Sequence, residues 1–253
     1  MAEFFNNLWA DILLWLNDVK ADFILNFIEK DRWKLFLEGF KNTIIITFFA
    51  LLIGLAIGIL VATIRSSYDK NRDSLHGLGK GVMAVLNAIC KIYLTVLRGT
   101  PVVVQLLIMY LIIMANVREA LYIAIVTFGI NSGAYVAEII RGGIESIDQG
   151  QMEAGRSLGF SYVKTMVYIV IPQAFKNALP SLLNEFIALL KETSVAGYVG
   201  IRDLTKAGNL VSGQTFSAFM PLILVAIVYL AMVMLFSFFV GKIERRLRKS
   251  DKR

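Results

Sequence analysis

Between Lys41 and Arg65 lies Thr43–Ile64, 22 consecutive residues without a charge. At about 1.5 Å per residue such a run, if helical, spans the roughly 30 Å hydrocarbon core of a bilayer. A second uncharged run, Ser217–Gly241, is closed by Lys242. Helix is the geometry that satisfies every backbone polar group within one such segment. Ten-residue stretches of alternating polarity, the mark of a membrane barrel, are absent. With 57% hydrophobic residues and a mean hydropathy of +0.66, the sequence describes an all-α polytopic membrane protein.

The chain before the first run has a different pattern. Phe4, Leu8, Ile12, Leu16, Val19, Phe23 and Phe27 recur at helical spacing, with Asn7, Asp11, Asp18, Asp22 and Glu29 elsewhere. This predicts an amphipathic helix on the membrane surface within an N-terminal segment 1–38. Its apolar core is too short and its acids too many for a secretory signal. In the first span, Gly54 and Gly58 form a small-x-x-x-small face for close helix contact.

Arg65–Lys80 is a charged loop. Gly81–Leu97 is apolar apart from Lys91, Arg98-Gly99-Thr100-Pro101 interrupts it, and Val102–Val117 and Ala120–Ile140 follow. If 81–97 does not cross, the chain has five spans; if it does, six. Both topologies place 17 of the 26 basic residues inside, so the positive-inside rule does not separate them. A lysine in mid-membrane and a tight turn at Arg98-Gly99 weigh against six. Gln173–Lys191 is read as the next span, with Pro172 at its start, a kink at Pro180 and Lys176 snorkelling inward. Tyr162–Ile171 is placed along the cytoplasmic surface. Val195–Gln214 is read as an outer surface helix or gate. Glu138 and Arg141, three apart on a helix, share a face, and either they pair near the interface or Glu138 serves the solute pathway.

The net charge of +7 invites a nucleic-acid reading, but seven of the 26 basic residues lie in the tail 242–253. Directly after a span this is a cytoplasmic anchor, and no nucleic-acid partner is expected. Lone Cys90 and lone His76 leave no basis for a metal site or a histidine-based catalytic centre. No GxxxxGK[ST] is present, so the chain is not expected to hydrolyse ATP, and no cofactor is expected.

Between two apolar runs lies the polar stretch 149–160. Met152, Glu153, Ala154, Arg156, Ser157 and Leu158 predict a short helix framed by glycines, inside a loop 142–171 that every topology above keeps on the inner side. Such a knob is either an ordinary cytoplasmic loop or a surface for another protein. Gly150 and Gly159 permit close approach, Met152 and Leu158 supply apolar anchors, and Glu153 and Arg156 a charged rim.

The spacing Glu153-Ala154, Gly159, Ile171-Pro172 resembles the signature loop of the membrane subunits of ATP-binding-cassette importers. Arg98-Gly99-Thr100-Pro101 with Gln105, Ala134-Tyr135 with Glu138, Arg141-Gly142-Gly143-Ile144, Leu179-Pro180, Asn184-Glu185 and Lys191-Glu192-Thr193-Ser194 resemble segments of the permeases for polar amino acids. The resemblance covers about residues 33–248. It implies a five-helix type I importer permease core over 39–241, lodged in the plasma membrane. It also implies a partner permease subunit (the same chain or a sister), two cytoplasmic ATP-binding subunits and an extracytoplasmic amino-acid-binding protein. Gly150, Gln151, Met152, Glu153, Ala154, Gly155, Arg156, Leu158 and Gly159 would form the coupling surface. Gly155 stands where the family usually has alanine, which predicts a softer helix. Polar positions assigned to the substrate path are Thr100, Gln105, Asn131, Glu138, Asn184 and Glu185. Other solutes (methionine, an opine, a quaternary amine) and a channel or scaffold without an ATPase are the competing readings.

Overall fold

The computed structural model describes residues 2–71 and 76–250, and among them every regular element is a helix. Arg72 to Leu75 of the charged loop and residues 251–253 of the basic tail lie outside the described residues. The N-terminal segment forms α1, Ala2–Phe23. Of its apolar face, Ile12, Leu16 and Phe23 are exposed, while the following Phe27 is buried against Phe36. The side chains of Phe4 and Leu8 lie outside the described residues; between Ile12 and Phe23 the face is largely open, with Val19 half-buried.

The first span is the middle of a helix of 39 residues, α2 (Trp33–Asn71). At about 58 Å it is longer than the hydrocarbon core, so its ends stand clear of it. Its tightest partner is α5 (Ala120–Glu145). A Cβ at Gly58 would lie 2.4 Å from Val136 Cγ1, and one at Gly129 would lie 2.7 Å from Ile53 Cβ. Missing side chains on each helix receive branched ones from the other, which brings the two backbones together. Ile46, Ala50, Ala124 and Phe128 close the outer half of this seam.

The segment between them answers the topology question differently from the expectation. Gly77–Gly99 is one helix of 23 residues, α3, with the length and apolarity to cross a membrane. The apolar helix after it, Val102–Ile113, has 12 residues, about 18 Å, too short to cross alone. It consists of α4 (Val102–Ile108) and a wider π turn, Met109–Ile113. Cys90 and Leu94 pack against Val61, Ala134 and Ala137, whereas Leu106 packs farther out against Ile46, Ala124 and Phe128. Together α3 and α4 form one broken path through the bundle. The break is two extended residues, Thr100 (φ −122°, ψ 146°) and Pro101 (φ −64°, ψ 135°). The tight turn at Arg98-Gly99 that six spans would require is not formed.

After α5 come α6 (Gln149–Ser157) and α7 (Tyr162–Thr165), then a π turn, Met166–Val170, and α8 (Ile171–Glu192). Pro172 stands in the first turn of α8, as expected, but the backbone before it is already helical. Helical backbone begins at Tyr162, where Ser161 caps the first turn, and the wide turn just before Pro172 lets the rod run on. The stretch 162–171 is thus part of this rod, and α8 continues through Pro180. Its 22 residues reach about 33 Å. Its polar residues keep it below the apolarity of α2, α3, α5 and α10 (Phe219–Ser250), the four helices apolar enough to cross by composition.

On the outer side, α9 (Leu204–Thr215) is packed rather than loose. Leu204, Ala207 and Val211 are buried against Leu190, Val225 and Met232. The long helices α2, α5, α8 and α10 and the broken α3–α4 path make the expected five-membered core, with α3 and α4 together, and not 102–117 alone, as the second member.

Candidate translocation path and coupling surface

Breaking a helix at mid-depth frees backbone carbonyls that water cannot reach. Three of the predicted path residues meet at this break. Gln105 Nε2 donates to Leu97 O (2.8 Å), Thr100 O (3.0 Å) and Thr100 Oγ1 (2.9 Å). Thr100 Oγ1 donates to Val96 O at 2.8 Å. Asn131 Nδ2, on α5, donates to Gln105 Oε1 (2.9 Å) and Leu97 O (3.3 Å). Thr100, Gln105 and Asn131 therefore hold the break open and saturated.

Glu185 lies half-buried on α8, where its Oε1 accepts from Ser132 Oγ at 2.8 Å. Ser132 follows Asn131, so one turn of α5 joins the break to α8. Asn184 is exposed on α8 and takes no part in this cluster. Farther inward, Glu138 pairs with Arg98 at 2.5 Å, and not with Arg141. Arg141 turns instead to Asp69 on α2 (2.9 Å) and to Glu145 (3.5 Å). The Glu138–Arg141 pair does not form because the end of α3 delivers Arg98 to Glu138, while the cytoplasmic extension of α2 offers Asp69 to Arg141. Glu138 also borders a second cleft between α5 and α8, with Gly142, Ser146, Asn177 and Ser181.

Sequence reasoning left Arg98, Ser132 and Arg65 without a role. Arg98 carried a signal, a cation at a Gly-Pro break. Ser132 carried none, since a serine in a span ordinarily bonds its own helix. Among the described residues, no group of three or more His, Cys, Asp or Glu is placed to hold a metal.

The inner-side loop folds into a short capped projection. Asp148 Oδ1 accepts from Gly150 N at 2.6 Å, and a Cβ at Gly150 would crowd that same oxygen at 2.7 Å. The far end closes with Leu158 N donating to Ala154 O (3.1 Å) and Phe160 N to Gly155 O (3.1 Å). Gly159 takes φ +84°, a conformation that favours glycine at a helix C-terminus. Gly150, Gln151, Glu153, Ala154, Arg156, Leu158 and Gly159 are exposed, Leu158 at 76%. Two residues of the predicted surface contact the bundle. Gly155 is buried, and Met152 packs with Ile144, Val170 and Ala174. Met152 is half-buried: one side anchors the projection to the bundle, and the other lines a cleft beside Glu153 and Arg156.

A bundle of long apolar helices with one broken mid-depth, polar groups gathered at the break and a capped knob on the inner side defines a membrane permease. Residues 77–249 match the family model described as binding-protein-dependent transport system inner membrane component, and the chain belongs to that family. It is 34% identical over 218 residues to the arginine transport system permease protein ArtQ of Bacillus subtilis, covering 85% of this chain and 93% of that one. The glutamine transport system permease protein GlnP of Escherichia coli K12 is likewise 34% identical over 218 residues, with coverage of 85% and 93%. Among solved structures, an amino acid ABC transporter crystallised with histidines superposes with a TM-score of 0.74 at 38% identity. That match covers 84% of this chain and 94% of that one. The chain is a multi-pass membrane permease with the type I importer fold.

Proposed function

We propose that this permease carries a polar amino acid inward across the plasma membrane by alternating access, driven by ATP hydrolysis in partner subunits. The observation that carries this reading is the projection α6, a helix of nine residues capped at both ends and presenting Glu153, Arg156 and Leu158 outward. A rigid, glycine-bracketed knob transmits displacement, whereas a flexible loop dissipates it. Its inner face is tied through Met152 to Ile144 and Val170, so a push on α6 reaches α5 and α8 together. On this reading two cytoplasmic ATP-binding subunits engage the knobs of a permease pair, and an extracytoplasmic binding protein delivers the solute. The open apolar face of α1 rests on the membrane surface.

The names of the similar proteins, an arginine and a glutamine permease, support a polar amino acid as the solute. Thr100, Gln105, Asn131, Asn184 and Glu185 then supply donors and acceptors for it at mid-depth, and Glu138 lies on its inward route. The test is ATP-driven uptake of glutamine and arginine by proteoliposomes holding the chain with its cognate ATPase and binding protein. Replacing 149–159 by a Gly/Ser tether is expected to abolish uptake while the bundle stays folded. Unimpaired uptake by the tethered variant would overturn the coupling role.

A further inference from the structure

Below the helix break lies a cleft of about 550 Å³ lined by Arg65 of α2, Lys91, Thr95, Arg98 and Gly99 of α3, and Tyr135 and Glu138 of α5. Its three cations face one carboxylate. Arg98 is accounted for, paired with Glu138 at 2.5 Å and resting over the Tyr135 ring at 5.5 Å from its centroid. Arg65 and Lys91 have no carboxylate within 4.0 Å among the described residues, and Arg65 Nε is buried without a hydrogen-bond partner. Arg65 is half-buried and Lys91 is exposed in this chain, and two cations at membrane depth without a carboxylate partner are costly unless an anion arrives to meet them.

The position of the cleft indicates which anion. Arg65 is the first charge after the uncharged Thr43–Ile64 run, so the lower rim stands at the inner end of the hydrocarbon layer. The upper rim, Gly99, borders the break held by Asn131 and Gln105. Asn131 precedes Ser132, which faces Gly54 in the middle of the uncharged run. The cleft therefore connects mid-depth to the inner side, as a solute leaving the bundle requires. A phospholipid phosphate, by contrast, stays at the lower rim. Nothing lies within 4 Å of a Cβ built at Gly99, so a ligand can approach the backbone there.

We propose that Arg65, Lys91 and Arg98 form a carboxylate-holding subsite for the departing solute, with Glu138 receiving its ammonium group. This rests on the reading of the solute as an amino acid. A zwitterion entering the cleft splits the Arg98–Glu138 pair, giving its carboxylate to the cations and its ammonium to Glu138. When it leaves, the pair closes again behind it.

The test uses the permease–ATPase complex in nanodiscs without the binding protein. Binding of radiolabelled glutamine, arginine and their α-carboxamides is measured from the inner side. Lys91→Gln and Arg65→Gln are expected to weaken binding of the acids about tenfold, the effect of losing one charge-assisted contact. Carboxamide binding should be unchanged, and Lys91→Arg should restore the acids. Binding of the acids at wild-type strength by both glutamine variants would overturn the subsite. So would equal losses for acid and carboxamide, or wild-type binding that follows the anionic lipid content of the nanodisc rather than the carboxylate. Uptake by the wild-type complex is measured in parallel. If it carries no polar amino acid the functional reading itself fails, whereas uptake together with unaltered variant binding removes the subsite alone.

Discussion

Gly155 of α6 faces Thr165 so closely that a Cβ on the glycine would lie 2.5 Å from Thr165 Cγ2 and 3.0 Å from its Oγ1. Thr165 is fully buried, and its Oγ1 donates to Ser161 O at 3.1 Å. Gly155 is thus matched to a branched side chain on the next helix. What reads from sequence as a softening of α6 is, in the fold, the means by which α6 seats against the start of the α7–α8 rod.

Gly155→Ala should therefore destabilise the seat of α6 despite its better helix propensity. Overpacking of this kind costs about 1–3 kcal/mol, more than the gain of up to about 1 kcal/mol from replacing glycine in a helix. Thr165→Ser removes Cγ2 and keeps the bond to Ser161. The Gly155→Ala/Thr165→Ser double variant should therefore recover most of the loss. ATP-driven uptake and thermal unfolding of the purified protein read both effects, and failure of the second change to rescue the first would refute the packing account.

The α2–α5 seam makes a parallel prediction with an internal control. A Cβ at Gly58 would meet Val136 Cγ1 at 2.4 Å, whereas one at Gly79 in α3 has nothing within 4 Å. Gly58→Ala should lower the unfolding temperature, by an amount corresponding to about 1–3 kcal/mol. Gly79→Ala should leave it level or raise it slightly. Thermal scans of the two variants in the same detergent decide the matter.

At the helix break, Gln105 Nε2 is the donor shared by Leu97 O and Thr100 O. Gln105→Leu keeps the bulk and leaves those carbonyls short of a partner, at about 1–3 kcal/mol. The same substitution removes the acceptor of Asn131 Nδ2. Gln105→Glu keeps the acceptor and loses the donor, so it should be nearly as damaging as leucine. A glutamate variant as stable as wild type would show that the donor is not what holds the break.

Much of this architecture is legible in the sequence, because uncharged runs of membrane length and glycines at fixed spacing report directly on burial. The seam of α2 and α5 follows from Gly54 and Gly58. The α6 knob follows from its glycine frame, whereas its Asp148 cap is seen only in the structure. What the sequence withholds is contact between segments distant along the chain. Glu138 and Arg141 share a helix face, yet their partners, Arg98 and Asp69, come from α3 and α2. A positive-inside count cannot see that Gly77–Gly99 and Val102–Ile113 are halves of one path. Both topologies give the same total, and only the packing of Leu94 and Leu106 at different depths resolves it. The half-buried state of Met152 is withheld too, because a short helix has apolar residues on more than one side, and its neighbours decide which side is buried.

Asp203, in the outer segment, is fully buried and caps α9 by accepting from Thr205 N (2.9 Å) and Lys206 N (3.3 Å). Burial raises its pKa above the ordinary 3.8, with the backbone N–H groups opposing the rise. A raised folded-state pKa means that the native state binds the proton more tightly than the unfolded chain does. The group's contribution is then most favourable below pH 3.8 and is lost as pH rises through the folded value. Asp203→Asn removes the titration but keeps only one of the two acceptor oxygens, so its deficit against wild type should be smallest at neutral pH and grow in acid. Asp203→Ala removes the cap and should cost about 1 kcal/mol at either pH. Unfolding temperatures recorded across the acid range distinguish the three proteins.

Asn184 and Glu185 are neighbours in sequence but differ in how the fold uses them, and this separates a role in transport from one in structure. Glu185 is half-buried and held by Ser132 Oγ at 2.8 Å, whereas Asn184 is exposed on α8. Removing a half-buried acceptor leaves Ser132 unpaired, so Glu185→Ala should lower stability by about 1–3 kcal/mol and reduce uptake as well. Glu185→Gln keeps an acceptor for Ser132 and loses the charge, so stability should largely return. Any uptake still missing then belongs to the carboxylate acting on the solute. Asn184→Ala removes no contact on which the bundle depends, so its unfolding temperature should match wild type while uptake falls. Wild-type uptake by both Asn184→Ala and Glu185→Gln in proteoliposomes would remove these residues from the path and leave the break residues Thr100, Gln105 and Asn131 as its mid-depth polar lining.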